Sequence, residues 1–222
     1  MIKSKPLQAC PLCRSPRVKK YFSDPQRDYL QCQSCSLVFV PSIQFVSAEK
    51  EKAYYDLHQN HPDDQSYRQF LSRLLNPIKE KLTAGDCGLD FGSGPGPTLS
   101  IMFAELGYPM KVYDHFYAND GYVLQQDFDF ITATETVEHL HHPHTELERL
   151  WNILKPGGYL GIMTKLVIDC EAFANWHYKT DPTHVCFFSR ETFLWLAELW
   201  QAKAEFFGND VIVFQKPIEV TV

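Results

Sequence analysis

The sequence predicts an α/β protein in which helices cover both faces of a largely parallel sheet, preceded by a small metal-stapled module. Three observations carry this expectation. From Asp86 onward strand-like and helix-like stretches alternate, a glycine-rich turn at 92–96 joins the first of those strands to a helix, and two Cys-x2-Cys pairs lie within the first 35 residues.

Size and composition agree. A chain of 222 residues holds one medium α/β domain plus a small appended unit. An apolar fraction of 45% and a net charge of −6 describe an ordinary globular chain and exclude a disordered one. Charge is unevenly placed: residues 1–41 carry seven Lys or Arg against Asp24 and Asp28, a balance of +5, while residues 42–222 carry 14 basic against 25 acidic residues, a balance of −11. Such asymmetry marks either a nucleic-acid-facing module or a basic surface that docks on an acidic body. Lys3 and Lys5 have no apolar run behind them, so a secretory signal is not expected. No stretch approaches about 18 uninterrupted apolar residues, so no membrane span is expected either. Seven cysteines, four of them in two close pairs, point to metal binding in a reducing compartment, with the cytoplasm as the expected location.

The elements follow in order. Residues 1–41 are rich in Cys, Pro and basic residues, with β-like pieces at Tyr29-Leu30 and 37–40, and Pro41 closes the module. Residues 42–85 form a helical cap or linker: 47–58 and 66–82 read as helices, the second with Phe70, Leu71, Leu74, Leu75 and Ile78 at helical spacing and Pro77 kinking or ending it early. The main domain, 86–222, opens with a strand over 87–91, the glycine turn, and a helix near 97–106 stopped by Gly107. Strands follow at 111–114 and 128–133, with only about a dozen residues between them, so the third strand–helix unit is reduced. A helix over 144–154, a strand over 159–164, a long loop and a helix over 190–200 come next. Strands at 204–207 and 211–215 flank Gly208-Asn209-Asp210, a hairpin turn.

Cys10, Cys13, Cys32 and Cys35 make C-x2-C-x18-C-x2-C, the spacing of a structural Zn2+ ribbon in which each pair forms one knuckle. With all four positions filled by thiolate, such a site has no open coordination position for catalysis. The ribbon then either folds a module too small for its own core or docks substrate through Arg14, Arg17, Lys19 and Lys20.

Asp90, Gly92, Ser93, Gly94 and Gly96 form a loop between a predicted strand and helix, where glycine admits a ligand close to the backbone and a helix N-terminus favours an anionic group. Pro97 stands where a dinucleotide fingerprint requires Gly or Ala, which disfavours an oxidoreductase. About 20 residues on, Asp114 closes the second strand, where a carboxylate can accept both hydroxyls of a ribose.

With LDFGSGPG at 89–96, VYD at 112–114, FDFITATETVEHL at 128–140 and LKPGGYLGIMT at 154–164, residues 86–215 resemble a class I methyltransferase. The resemblance implies a Rossmann-like seven-stranded sheet with an antiparallel last strand, here with a reduced third unit, and S-adenosylmethionine in the crevice at the strand ends. It places Asp90 and the 92–96 loop at the methionine moiety and Asp114 at the ribose. The adenine-side residue is open, with Asp127 and Phe128 as candidates.

Glu135-Thr-Val-Glu138-His139 follows the 128–133 strand, and a helical conformation there puts both carboxylates and the imidazole on one face. A second polar island, 176–188, contains His177, Tyr178 and His184 among aromatic residues. This pattern is similar to the E-x-x-E-H motif of small-RNA 2′-O-methyltransferases and ubiquinone-pathway O-methyltransferases. Carried over, the resemblance implies Glu135, Glu138, His139 and His184 as ligands of a second divalent ion such as Mg2+ or Mn2+. The alternative is that Glu138 and His139 only orient substrate, with His177 as general base. Glu138, His139, His177 and His184 are thus the candidate catalytic residues; His141, His142 and His144 read as exposed loop histidines, any of which could instead replace His184, and Trp176, Tyr178, Phe187 and Phe188 read as the apolar underside of a lid or an aromatic floor for a planar substrate. The expected reaction is methyl transfer to an oxygen or nitrogen of a small-molecule or RNA acceptor. The competing reading is a nucleic-acid-binding ribbon on a non-catalytic scaffold, which predicts strongly salt-dependent binding and no cofactor.

Overall fold

The computed structural model describes residues 8–57 and 61–218. The N-terminal module is a three-stranded antiparallel ribbon of β1 (Val18–Ser23), β2 (Asp28–Cys32) and β3 (Val38–Phe39). Helices α1 (Ala48–Tyr55) and α2 (Gln65–Lys79) follow. Asp64 caps α2 by accepting from the amides of Ser66 and Tyr67, and Leu71, Leu74, Leu75 and Ile78 form its buried stripe, each worth roughly 1.5–3 kcal/mol of transfer free energy. Pro77 lies within the last turn, and the helix stops two residues beyond it.

The main domain runs β4 (Gly88–Phe91), α3 (Thr98–Glu105), β5 (Met110–Tyr113), β6 (Phe128–Thr134), α4 (Pro143–Ile153), β7 (Leu154–Met163), α5 (Cys170–Ala174), β8 (Cys186–Phe187), α6 (Arg190–Leu199), β9 (Lys203–Phe207) and β10 (Val211–Gln215). Its sheet has the order β5-β4-β6-β7-β10-β9, with β5, β4, β6 and β7 parallel and β10 antiparallel to both of its neighbours. Alternation along the strands divides the core: Phe130, Val211 and Val213 pack with α2 and α3, whereas Ile131, Ile212 and Phe214 face α4 and α6. α2 approaches so closely that a Cβ on Gly161 would lie 2.9 Å from Leu74 Cδ1 and from Ile78 Cδ1.

One feature corrects the sequence expectation and another adds to it. The sheet holds six strands among the described residues, not seven. Between Tyr113 and Phe128 the chain makes only an Asp114–Ala118 bridge and a short 3-10 turn at Val123–Gln125, too little to cross over the sheet and return. The ribbon also does not stand apart. β8, from the connection between β7 and α6, pairs with β3 (Val38 with Phe187, Phe39 with Cys186) and completes a four-stranded sheet β1-β2-β3-β8.

Candidate functional site

β4 ends in the glycine loop, where Gly92 (φ +73°) and Gly94 (φ +64°) adopt the left-handed conformation that β-carbon sterics penalise. Space adds to the constraint at Gly92, where a Cβ would sit 2.2 Å from Thr136 Cγ2. Asp114, one residue past β5, is buried and braces this loop. The Gly94 amide donates to its Oδ2 (2.9 Å), and the amides of Phe116 and Tyr117 donate to its Oδ1 (2.8 and 3.1 Å). Asp90 is buried in β4 and accepts from Thr132 Oγ1 (2.9 Å). Burial raises its pKa to about 7, opposed by that hydrogen bond, so this carboxyl is only partly ionised at neutral pH and a nearby positive charge favours its ionised form.

These groups line a cleft of about 900 Å³ together with Ser93 and Gly96. Glu135, His139, Tyr178 and His184 line the same cleft, and α1 and α2 contribute Tyr55 and Tyr67. Neither Asp127 nor Phe128 is among the lining residues. Phe128 is core, and the turn His115–Tyr117 occupies the side of the cleft beside Asp114.

The expected helical face at 135–139 does not form. Glu135 takes a left-handed backbone (φ +47°), its amide donating to Met163 O (2.8 Å), and a 3-10 turn over Val137–His139 follows. This takes the two carboxyls off a shared helical face. Glu138, His139 and His184 each offer a ligand atom within 4.8 Å of the others, and Glu135 is outside that group. Tyr178 links the two acids: its phenol donates to Glu138 Oε1 and lies 3.4 Å from Glu135 Oε2, with Thr164 Oγ1 at 3.2 Å. Burial raises both acids, Glu135 to about 7 and Glu138, further pushed by the Glu135 charge, to about 8. Glu138 Oε2 is fully buried and has no hydrogen-bond partner.

The imidazoles are oriented through Nδ1. His184 Nδ1 faces Tyr178 O (2.7 Å), which makes it the donor and leaves a lone pair on Nε2. His139 Nδ1 lies 3.1 Å from Thr183 Oγ1, which itself donates to Asp181 Oδ1 (2.6 Å). Burial lowers the His184 pKa despite the Asp181 charge nearby. His177 is on the cleft wall, where its Nε2 accepts from Lys165 Nζ (3.0 Å).

Of the three loop histidines at 141, 142 and 144, His141 is half-buried against Phe45 and His144 Nδ1 contacts Leu12 O of the ribbon (3.0 Å), so neither is the free loop residue expected, whereas His142 is exposed. Phe187 and Phe188 are core side chains, and Tyr178 alone of the aromatic island joins the acid cluster. Lys165, Asp181 and Thr183 gave no sequence signal, since their roles depend on contacts distant in the chain.

In the ribbon, Cys10 and Cys35 sulfurs are 3.6 Å apart and those of Cys13 and Cys32 are 3.3 Å apart. Thiolates on tetrahedral zinc lie roughly 3.8 Å apart, given Zn–S bonds of about 2.3 Å. Both knuckles end alike, with the residue after the second cysteine, Arg14 or Ser36, in left-handed conformation and donating its amide to the first cysteine's carbonyl. Cys10 is drawn down to about 6 by its hydrogen bond with Cys35, while burial pushes Cys13 up to about 12. Four such thiols ionise together only around a cation, so the donor set fits Zn2+.

The sheet order, the single antiparallel strand and the cleft at the strand ends define a Rossmann-like α/β fold of the methyltransferase kind. A family model described as a methyltransferase domain matches residues 60–202, and the chain belongs to that family. Among solved structures, the chain is similar to the 1,6-didemethyltoxoflavin-N1-methyltransferase of Burkholderia thailandensis with bound 1,6-didemethyltoxoflavin and S-adenosylhomocysteine (TM-score 0.52, 15% identity, covering 90% of this chain and 99% of that one). It is also similar to a SAM-dependent methyltransferase from Archaeoglobus fulgidus (TM-score 0.51, 19% identity, covering 67% and 94%). At these identities the likeness establishes the shared fold. No curated protein matches the sequence. Among the described residues no helix is long and apolar enough to cross a membrane.

Proposed function

We propose that the chain is an S-adenosylmethionine-dependent methyltransferase acting on an oxygen or nitrogen of a small-molecule acceptor, with structural Zn2+ in its N-terminal ribbon. One observation carries the reading: a single cleft is lined both by the glycine loop, Asp90 and Asp114 and by an acid–phenol–imidazole cluster of Glu135, Tyr178, His139 and His184. The cofactor when bound supplies a methyl group already activated on a sulfonium. In this reading Asp114 receives the ribose hydroxyls and the 92–96 loop the methionine carboxylate. Asp90 fits a cationic ligand because burial leaves it only partly ionised at neutral pH without one.

At the acceptor end the protein's task is alignment and proton removal. Glu135 is the proposed proton acceptor. It faces the cleft, and a pKa near 7 lets it hold or release a proton at neutral pH. When protonated it can donate to the Tyr178 phenol, so proton transfer rearranges a hydrogen-bond chain that ends on Glu138. Lys165 occupies His177 Nε2, which makes His177 an orienting group in this reading. A second divalent ion is supported by one specific observation, the orphaned Oε2 of Glu138 beside two imidazoles whose Nδ1 positions are already engaged. One carboxylate and two imidazoles suit Mn2+ better than Mg2+. Such an ion would be held by Glu138, His139 and His184 and would lower the pKa of an acceptor hydroxyl. Carboxyls on the acceptor wall disfavour a polyphosphate chain, which argues for a small acceptor over RNA.

Titration calorimetry of the zinc-loaded protein with S-adenosylhomocysteine tests the reading. Saturable one-to-one binding is expected, and absence of binding at millimolar ligand refutes it.

A further inference from the structure

Besides packing Tyr21, Phe22 and Tyr29 on Phe173 and meeting His144 at Leu12 O, the ribbon makes a dense set of hydrogen bonds to residues 178–187, the segment that carries Tyr178 and His184 to the cleft. Arg27, in the turn between β1 and β2, is buried, and its guanidinium is spent on that segment's backbone. One terminal nitrogen donates to Pro182 O (3.1 Å) and His184 O (2.9 Å), and the other to Asp181 O (2.9 Å) and Lys179 O. The Tyr29 hydroxyl lies 3.1 Å from Asp24 Oδ2 and 3.3 Å from Lys179 O, and Asp24 also accepts from Lys179 Nζ (3.2 Å). Farther along, Val40 donates its amide to Val185 O (2.9 Å), and β3 pairs with β8.

We propose that the ribbon is a fixed support behind one wall of the acceptor site and that Arg27 is a positioning residue, which holds the 179–184 backbone so that Tyr178 and His184 face the cleft. The inference rests on the reading of that part of the cleft as the acceptor side. Its physical basis is specific to arginine. A planar fork with five N–H donors can bridge four carbonyls, and it remains charged when buried. Carbonyl oxygens of consecutive loop residues point in different directions, so without a partner of this shape they must reach water, and the loop must move to let them.

The location of Arg27 couples this grip to the metal. Register pairs Val18 with Cys32 at one end of the β1–β2 hairpin and Ser23 with Asp28 at the other. The zinc knuckles therefore anchor the base of a short rigid arm whose tip is Arg27. Arg14, Arg17, Lys19 and Lys20 stay exposed on other surfaces of the ribbon and take no part in the grip. The ribbon's structural role and its functional role are thus the same one: it folds around zinc, and the folded arm orders the loop.

The test is hydrogen–deuterium exchange on full-length zinc-loaded protein, comparing peptides over 178–187 with peptides over β4 and β6, in wild type, Arg27→Ala and Arg27→Lys. S-adenosylhomocysteine affinity and zinc content are measured alongside. The expected result for Arg27→Ala is exchange faster by about tenfold or more within 178–187, because a subglobal opening is released. β4 and β6 protection, zinc content and ligand affinity should stay within twofold of wild type. Arg27→Lys should fall between, since one ammonium cannot span four carbonyls. Unchanged exchange in 178–187 overturns the proposal, and so does an equal acceleration in β4 and β6, which makes Arg27 a general fold contact. Should Arg27→Ala not accumulate, Arg27→Lys carries the same comparison. Failure of wild type to bind S-adenosylhomocysteine would sink the methyltransferase reading instead, a different and separately visible outcome.

Discussion

Asp114→Asn is the sharpest probe of the cofactor end, because the substitution keeps shape and removes only charge and one acceptor face. The carboxylate now accepts three backbone amides, from Gly94, Phe116 and Tyr117. An asparagine oxygen can keep the Phe116–Tyr117 pair only by turning its NH2 toward the Gly94 N–H, where two donors meet. One charge-assisted bond is lost outright, about 1.5–3 kcal/mol, which for a chain of this size lowers the melting temperature by roughly 3–12 °C. The proposed ribose contact suffers likewise, since two hydroxyls donating to a carboxylate become one donating to an amide. A further loss of about 1.5–3 kcal/mol corresponds to a roughly 10- to 150-fold weaker dissociation constant. Calorimetry with S-adenosylhomocysteine and a thermal melt measure the two effects separately. Affinity within twofold of wild type would refute Asp114 as the ribose seat, even if the melt shifts as expected.

Four other perturbations are equally definite. Gly92→Ala forces a β-carbon into a left-handed backbone 2.2 Å from Thr136 Cγ2; strain of about 1–2 kcal/mol plus the clash should cost about 3 kcal/mol, and an unshifted denaturant midpoint would contradict this. Asp90 holds its proton in the folded state up to about pH 7, against an ordinary value of 3.8. The ligand-free protein should therefore lose stability as pH climbs from 3.8 to about 7 and level off above, and Asp90→Asn should remove Asp90's share of that slope in melts across the window. Cys32→Ser should abolish stoichiometric zinc measured by elemental analysis, since the ribbon's four thiolates act as one set. Glu138→Gln should weaken Mn2+ binding at least tenfold by calorimetry while leaving S-adenosylhomocysteine affinity unchanged; identical Mn2+ isotherms would end the second-metal reading.

Most of the sheet was legible because the signals were local. Strand–helix alternation, the glycine turn and the Gly208-Asn209-Asp210 hairpin each state a backbone preference within a few residues, and the observed β4, α3, β6 and α6 lie within two residues of the expected bounds. The short interval after Asp114 already signalled a reduced third unit. Its consequence, a six-stranded sheet, follows from the length a crossover needs.

The proposed acceptor site was only half legible, and the reason lies in one residue. Read as a helix, Glu135-x-x-Glu138-His139 aligns three side chains. In the folded chain the amide of Glu135 instead pairs with Met163 O at the end of β7, which turns residue 135 left-handed and sends its carboxyl toward the cleft while Glu138 goes into the core. A cross-strand hydrogen bond to a residue 28 positions away has no trace in local periodicity. Arg27 is the same case at greater range, its partners lying 152–157 residues downstream. Chemical type could be read from sequence at both places, because carboxylates and imidazoles in a Gly-loop protein invite a catalytic reading. Direction could not, since it is set by which distant carbonyl each backbone meets. That difference also explains why the ribbon looked like a separate module: its cysteines announce themselves by spacing, while the contacts that weld it to the catalytic domain are a backbone strand pair and a guanidinium on main-chain oxygens, none of which needs a recognisable side chain on the receiving end.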